Sequence, residues 1–598
     1  METIKKPLTR EEIKSEDKWD VKKIYEDDEA WEKEFQLLRE KAVDITKFYG
    51  KLSEANMLYD YLKMEEYLSR IASKLAVYAH LRSDEDTTNQ FYLSMKNKIN
   101  TYLAELEAMS SYFIPEILSY PQETIEKQIE KLPKLAPYRF YLEQIIKRKD
   151  HILDENSEKL LASVSDCLSA SSQVFGLLTN ADMTFPTIKN EEGNRVELVE
   201  SEYLNYITSK NREVRKDAFR ALFQTYGKYR NTLATLLTSS VKNYVFESKI
   251  RNYNSALESS LEPDNIPVEV YKKSLETIHQ NLSSLHRYVR IKKKQLNLSE
   301  IHMYDLYAPI IDVPKVHIEF EQGISLMYEG LKPLGEEYQA ILREGVQSGW
   351  IDKYPNKGKR SGAYSSGCYD TMPYVLLNYT YGLEDVSTLV HEMGHSVHSY
   401  YTRKNQPYIY GDYTLFCAEV ASITNEVLLM HYLVEKETDR EKKRYLINLQ
   451  LEKIRTTVFR QLMFAEFELY THEQIEQGNS LTADDLCNYW HTLNKQYFGP
   501  EMVVDEEIDM EWARIPHFYR DFYVYQYATG YAAANSFAKM ILDQEDKAIE
   551  KYIGFLKSGS SDYPINILKK AGVDMTTGKA LNDTIQIFNE LLDLLETI

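Results

Sequence analysis

The chain has 598 residues, 43% of them hydrophobic, and its 92 Asp and Glu outweigh 72 Lys and Arg for a formal net charge of −20. That length predicts more than one core, and the acidic balance disfavours nucleic acid and anionic membranes as partners. No run approaches the roughly 18 apolar residues of a membrane-crossing helix, and the N-terminus lacks a signal-peptide core, so a cytoplasmic chain is expected.

With only 22 Gly and 17 Pro, and long Glu, Lys and Leu runs at helical spacing, the chain reads as mainly α. Residues 1–200 are expected to form an N-terminal helical lobe and residues 201–598 a second domain. A hairpin, Met183–Ile188 with Arg195–Val199 around Gly193, is expected near that division. Gly358, Ser361, Gly362, Ser365, Ser366 and Gly367 predict a flexible loop, either a plain surface turn or a flap able to close over a ligand. The apolar run Pro373–Tyr379 predicts a short strand. It is either an ordinary buried strand or one whose free edge can pair with an extended peptide.

A helix follows, with Asp385 as its expected N-cap and Ser387 and Thr388 in the first turn. Val386, Leu389, Val390, Met393 and Val397 fall on one arc about 100° wide and should pack inward. His391 and His395 lie opposite, four residues apart, so both imidazoles can face one zinc ion. Glu392 sits about 100° around the helix, where it can take a proton from water held by that ion without ligating it. Gly394 costs about 1 kcal/mol relative to Ala in a helix. Either it is a packing glycine or another backbone or a substrate passes close by.

A catalytic zinc usually takes three protein ligands. The three-histidine proteases need Gly and His three and six residues after the second ligand; here those positions are His398 and Tyr401, which excludes that class. The segment Tyr413–Glu435 is instead a mostly apolar helix in which Glu419 and Glu426, seven apart, share a face. Carboxylates so placed are seldom buried without a partner. Glu419 is the expected third ligand, and Glu426 either orients a ligand imidazole or forms a surface ion pair. His398 is expected to be structural or to support a ligand, not to bind metal itself.

His391-Glu392-Met393-Gly394-His395, with Ala418-Glu419-Val420-Ala421-Ser422 downstream, resembles oligoendopeptidase F, in the thimet-oligopeptidase-like superfamily of zinc peptidases. Gly358–Tyr364, Pro373–Tyr379, His517–Tyr531 and the segments around Trp19 and Pro564 share the likeness, which runs nearly end to end. The resemblance implies a mainly α, multi-helical, two-lobed peptidase with a deep central channel and a small β element next to the zinc site. Residues 201–598 would be its catalytic domain, holding one Zn2+ per chain and cutting internal bonds of short oligopeptides. The alternative is a related helical zinc carboxypeptidase. If Tyr523 onward is helical, Tyr523, Tyr527 and Tyr531 line one face. Such a stripe is ordinarily core; the resemblance assigns His517, Tyr527 and Tyr531 to oxyanion stabilisation beside the base Glu392.

Overall fold

The computed structural model describes residues 6–311 and 316–598, and helices dominate them. Two compact units emerge, each built from three stretches of chain: Met1–Asp150, Lys315–Tyr432 and Phe537–Gly572 in one, and His151–Pro314, Leu433–Ser536 and Val573–Ile598 in the other. These units cut across the expected division at residue 200, because the chain leaves and re-enters each core and contacts distant in sequence decide membership.

In the first unit the 31-residue helix Ala55–Glu85 packs between Asp28–Ala42 and Gln90–Ser110. Trp31, Phe35, Leu38, Leu58, Tyr61 and Leu75 fill that core, and Tyr374 and Leu376 from a strand join it. Asp27 caps the first of these helices, its carboxylate accepting the Ala30 N–H.

The second unit carries the expected hairpin as β1 (Thr187–Lys189) and β2 (Arg195–Glu197), antiparallel with Ile188 opposite Val196. It is shorter than expected, since residues 183–186 approach as irregular chain. β3 (Ile301–His302) pairs in parallel with a strand at Met502–Val503. Asp305, fully buried, is held by Arg212 and Arg215, which pull its pKa below the usual carboxylate range although burial opposes them.

Back in the first unit, a three-stranded sheet comprises β4 (Ile351–Asp352), β5 (Tyr364–Ser366) and β6 (Tyr374–Leu376), in the order β4-β6-β5. The helix Leu383–Asn405 follows it directly. Val386, Leu389, Val390, Met393 and Val397 are all fully buried on its inner face, each contributing about 1.5–3 kcal/mol over the exposed state. Its N-cap is Gly382, not Asp385. Asp385 sits one turn in and reaches back to accept the Gly382 N–H at 2.7 Å and the Thr380 hydroxyl at 3.0 Å. Among the described residues no helix is long and apolar enough to cross a membrane.

Candidate active site and metal centre

Two helices of the first unit, Leu383–Asn405 and Leu415–Lys436, meet at Gly394. A Cβ built there would lie 2.6 Å from the Ser422 Cα and 3.1 Å from the Ser422 N, so a side chain is excluded by a backbone. Of the two expected reasons for this glycine, the close approach of another backbone is the one found. Asn425 reinforces the contact, donating to the Val390 carbonyl at 3.4 Å and accepting from the Tyr338 hydroxyl at 2.9 Å.

That close approach brings Glu419 to the histidines. Its Oε2 lies 3.5 Å from His391 Nε2 and 3.8 Å from His395 Nε2, and the three donor atoms all fall within 4.8 Å of one another. Zinc bonds of 2.0–2.1 Å at tetrahedral angles require ligand atoms about 3.3–3.4 Å apart, so this donor set fits the ion after small adjustments. His391 Nδ1 is hydrogen-bonded to Glu426 Oε1, which leaves Nε2 as the nitrogen facing Glu419. Burial pulls the His391 pKa down, but the bond to Glu426 and the nearby carboxylates outweigh it and raise it. His395 has no such carboxylate on its ring: burial, then the neighbouring His391, pushes it down to about 3, and its ring bonds the Ala418 carbonyl. A neutral imidazole is the form that binds metal.

Glu392 is buried beside the cluster, and desolvation pushes its pKa up to about 7. His391 opposes that rise, and so does the Ser365 backbone N–H, which hydrogen-bonds the carboxylate. Ser365 Oγ also lies 2.9 Å from Ser396 Oγ, which in turn donates to the Glu392 carbonyl at 3.0 Å. Ser365 was expected only as a loop residue and Ser396 not at all, and neither was placed beside Glu392. Ser396 stands four residues after Glu392 and was visible as its helical neighbour, whereas Ser365 arrives from 27 residues upstream and only the fold brings it there.

Two neighbouring segments had each been open to more than one reading. Of the two readings for Pro373–Tyr379, the ordinary buried strand is the one found: β6 is the central strand, parallel to β4 on one side and antiparallel to β5 on the other, and offers no free edge. The outer strands are β4 and β5. The Gly358–Gly367 segment is likewise no loose flap, because Tyr364–Ser366 forms β5. Lys359 anchors its start, with a buried ammonium that donates to the carbonyls of Tyr354 and Leu377 at 2.7 and 2.6 Å and pairs with Asp352 at 2.7 Å. His398 is buried outside the donor cluster, stacked on Tyr413 with ring centres 3.7 Å apart, as a structural residue would be.

In the second unit, His517 sits in a short turn, Pro516–Tyr519, and the helix begins at Tyr525. Tyr523 therefore lies before the helix, not on it, because Phe522 adopts a positive φ of 46° that breaks the helical path. Tyr523 still stacks on His517 at 5.9 Å, and the Tyr527 hydroxyl lies 3.3 Å from His517 Nε2. Tyr527 is 38% exposed whereas Tyr531, one turn on, is 5% exposed. The structure thus groups His517, Tyr523 and Tyr527, and buries Tyr531.

A mainly helical chain whose two helices carry His391-Glu392-x-x-His395 and Glu419 to one three-donor cluster has the architecture of a metallopeptidase. Comparison with known proteins specifies which kind. The family described as peptidase family M3 matches residues 205–587, and one described as oligopeptidase F matches residues 116–185. Oligopeptidase PepF of Bacillus subtilis (strain 168) is 46% identical over 590 residues, 98% of this chain and 88% of that protein. Group B oligopeptidase PepB of Streptococcus agalactiae is 39% identical, over 98% of both. The crystal structure of oligoendopeptidase-F from Enterococcus faecium is 37% identical, covering 95% of this chain and 99% of that one with a TM-score of 0.72. A solved structure from Chlamydophila abortus, 38% identical over 98% of this chain and 100% of that one, gives 0.92. The chain belongs to peptidase family M3 and is of the oligoendopeptidase F kind.

Proposed function

We propose that the chain hydrolyses internal bonds of short oligopeptides, with one zinc ion held by His391, His395 and Glu419 and Glu392 as general base. The observation that carries this reading is the convergence of His391 Nε2, His395 Nε2 and Glu419 Oε2 beside a buried Glu392. When bound, zinc supplies Lewis acidity that polarises the scissile carbonyl and acidifies water. Glu392 takes the proton from the attacking water and delivers it to the leaving amine. A carboxylate whose pKa burial lifts toward neutrality is suited to both transfers. Glu426 fixes the His391 ring and the Ala418 carbonyl fixes that of His395. β5 is an outer strand whose middle residue is the Glu392 partner Ser365, and an extended substrate can add beside it as a further strand.

His517 and Tyr527 supply donors to the oxyanion, an assignment supported by their mutual contact and by the family motif they stand in. Tyr531, buried one turn on, enters the same proposal as their neighbour on the helix.

The test is Glu392→Gln, which keeps shape and removes the base. It is expected to bind zinc at one ion per chain and to lose about 10²–10⁴-fold in kcat. Near wild-type turnover would overturn the role of Glu392. A peptide amidated at its C-terminus separates endopeptidase from carboxypeptidase action: internal cleavage of it is expected, and failure to cut it while the free-acid form is processed from the end would support the carboxypeptidase.

A further inference from the structure

The turn that links His517 to Tyr527 is held far more firmly than a surface connection needs. Phe522, at its centre, has φ of +46°, a left-handed conformation that a residue with a Cβ keeps only when its surroundings enforce it. Glu468 supplies the central restraint: its Oε1 accepts the Phe522 N–H at 2.8 Å, and both residues are buried. The His472 ring packs on the Phe522 ring at 4.4 Å, and its Nε2 lies 3.4 Å from Asp521 Oδ1. Ser260 Oγ donates to the Asp521 carbonyl at 2.9 Å, and the Tyr244 hydroxyl donates to the Tyr519 carbonyl at 2.8 Å. Side chains from other segments thus hold Asp521, Phe522 and the Tyr519 carbonyl just before them.

A buried carboxyl group is a costly way to satisfy one amide. Desolvation, with Asp521 nearby, drives the Glu468 pKa far above the carboxylate range, and its Oε1 serves as the acceptor. The residue immediately after Phe522 is Tyr523, which stacks on His517 and meets Tyr527 edge-on at 5.4 Å. A change in the Phe522 backbone would swing Tyr523 out of that group and free the imidazole and the phenol to separate.

We propose that Glu468 and Tyr244 are positioning residues for the His517–Tyr527 pair, fastening the turn from Tyr519 to Tyr523 so that imidazole and phenol hold one mutual geometry. This rests on the reading that His517 and Tyr527 steady the oxyanion, and neither proposed residue touches substrate itself. The loss should therefore appear in kcat, not in KM or metal content.

The test uses the full-length, zinc-loaded enzyme and a quenched-fluorescence peptide. Glu468→Leu is expected to lower kcat about 10-fold or more, with KM within about twofold and zinc still one per chain. Glu468→Gln, whose amide oxygen still accepts the Phe522 N–H, should return kcat to within about threefold of wild type. In a His517→Ala background, Glu468→Leu should cost nothing further, since the geometry it protects is gone. Where Glu468→Leu does not fold, Tyr244→Phe carries the same test: a smaller kcat loss, again absent in the His517→Ala background. If His517→Ala and Tyr527→Phe leave kcat unchanged, the oxyanion reading fails. If they lower kcat but the Glu468 and Tyr244 variants do not, or lower it equally in the His517→Ala background, the positioning proposal fails.

Discussion

Replacing Gly394 with Ala tests whether helix separation, and not the ligands alone, makes the metal centre. The new methyl would meet the Ser422 Cα at 2.6 Å, whereas carbon atoms rest about 3.5–4.0 Å apart. The obstacle is backbone and cannot rotate away, so the two helices must part by about 1 Å. Glu419 lies one turn before Ser422 on the helix that moves, and its Oε2 stands 3.5 and 3.8 Å from the two histidine nitrogens. Metal–ligand distances tolerate only about 0.2 Å, so a shift of that size puts the carboxylate out of reach. Overpacking costs about 1–3 kcal/mol, while Ala regains about 1 kcal/mol of helix propensity over Gly. Global stability should therefore change by no more than about 2 kcal/mol while zinc affinity falls by at least about 10–100-fold. Competition with a fluorescent zinc chelator reads the affinity, and urea unfolding of the metal-free protein reads the stability. A Gly394→Ala variant that binds zinc as tightly as wild type and turns over peptide normally would show that helix separation does not set the metal centre.

Further outcomes follow from the same geometry. Glu426→Gln should weaken zinc binding about 10–100-fold by loosening the His391 ring, measured in the same competition assay; unchanged affinity would show that Glu426 does not orient the ligand. His395→Ala should lose both metal and activity, and zinc retained at one per chain by elemental analysis would count against ligation. Asp352 is buried with Arg10 at 2.5 Å and Lys359 at 2.7 Å, and although burial opposes them these cations hold its pKa low. Its contribution is therefore present above the unfolded carboxylate pKa of about 3.9 and is lost as pH falls through the lower folded value. Asp352→Asn should cost about 3–5 kcal/mol at neutral pH and flatten the acid limb of stability, read by thermal unfolding at a series of pH values; an unchanged limb would refute that assignment.

The local chemistry was readable because helices impose it at short range. Residues four apart share a face whatever surrounds them, so His391, His395, the buried stripe from Val386 to Val397, and the pairing of Glu419 with Glu426 all followed from spacing. Where spacing left alternatives open, the deciding partner lay far away in the chain. The edge status of β6 depended on β4 and β5, the Gly358–Gly367 segment on Asp352 and the carbonyl of Leu377, and the break before Tyr525 on Glu468 holding Phe522. Asp385 was misplaced by one turn because a carboxylate also serves a helix start from the first turn, where it accepts the N–H of the cap residue, here Gly382.

Sequence alone determined which side chains could ligate a metal, which one could move a proton and, through resemblance, which family to expect. Tertiary structure decided whether they meet. Gly394 could be recognised as unusual from the sequence, but only packing shows that its missing Cβ admits the backbone of Ser422 and so sets Glu419 against two imidazoles. Similarly, Glu392 is one carboxylate among 92 acidic residues until burial removes the water that would keep it ionised and raises its pKa to about 7. Spacing along a helix is a local property of the chain, whereas helix separation and desolvation arise only from everything packed around it.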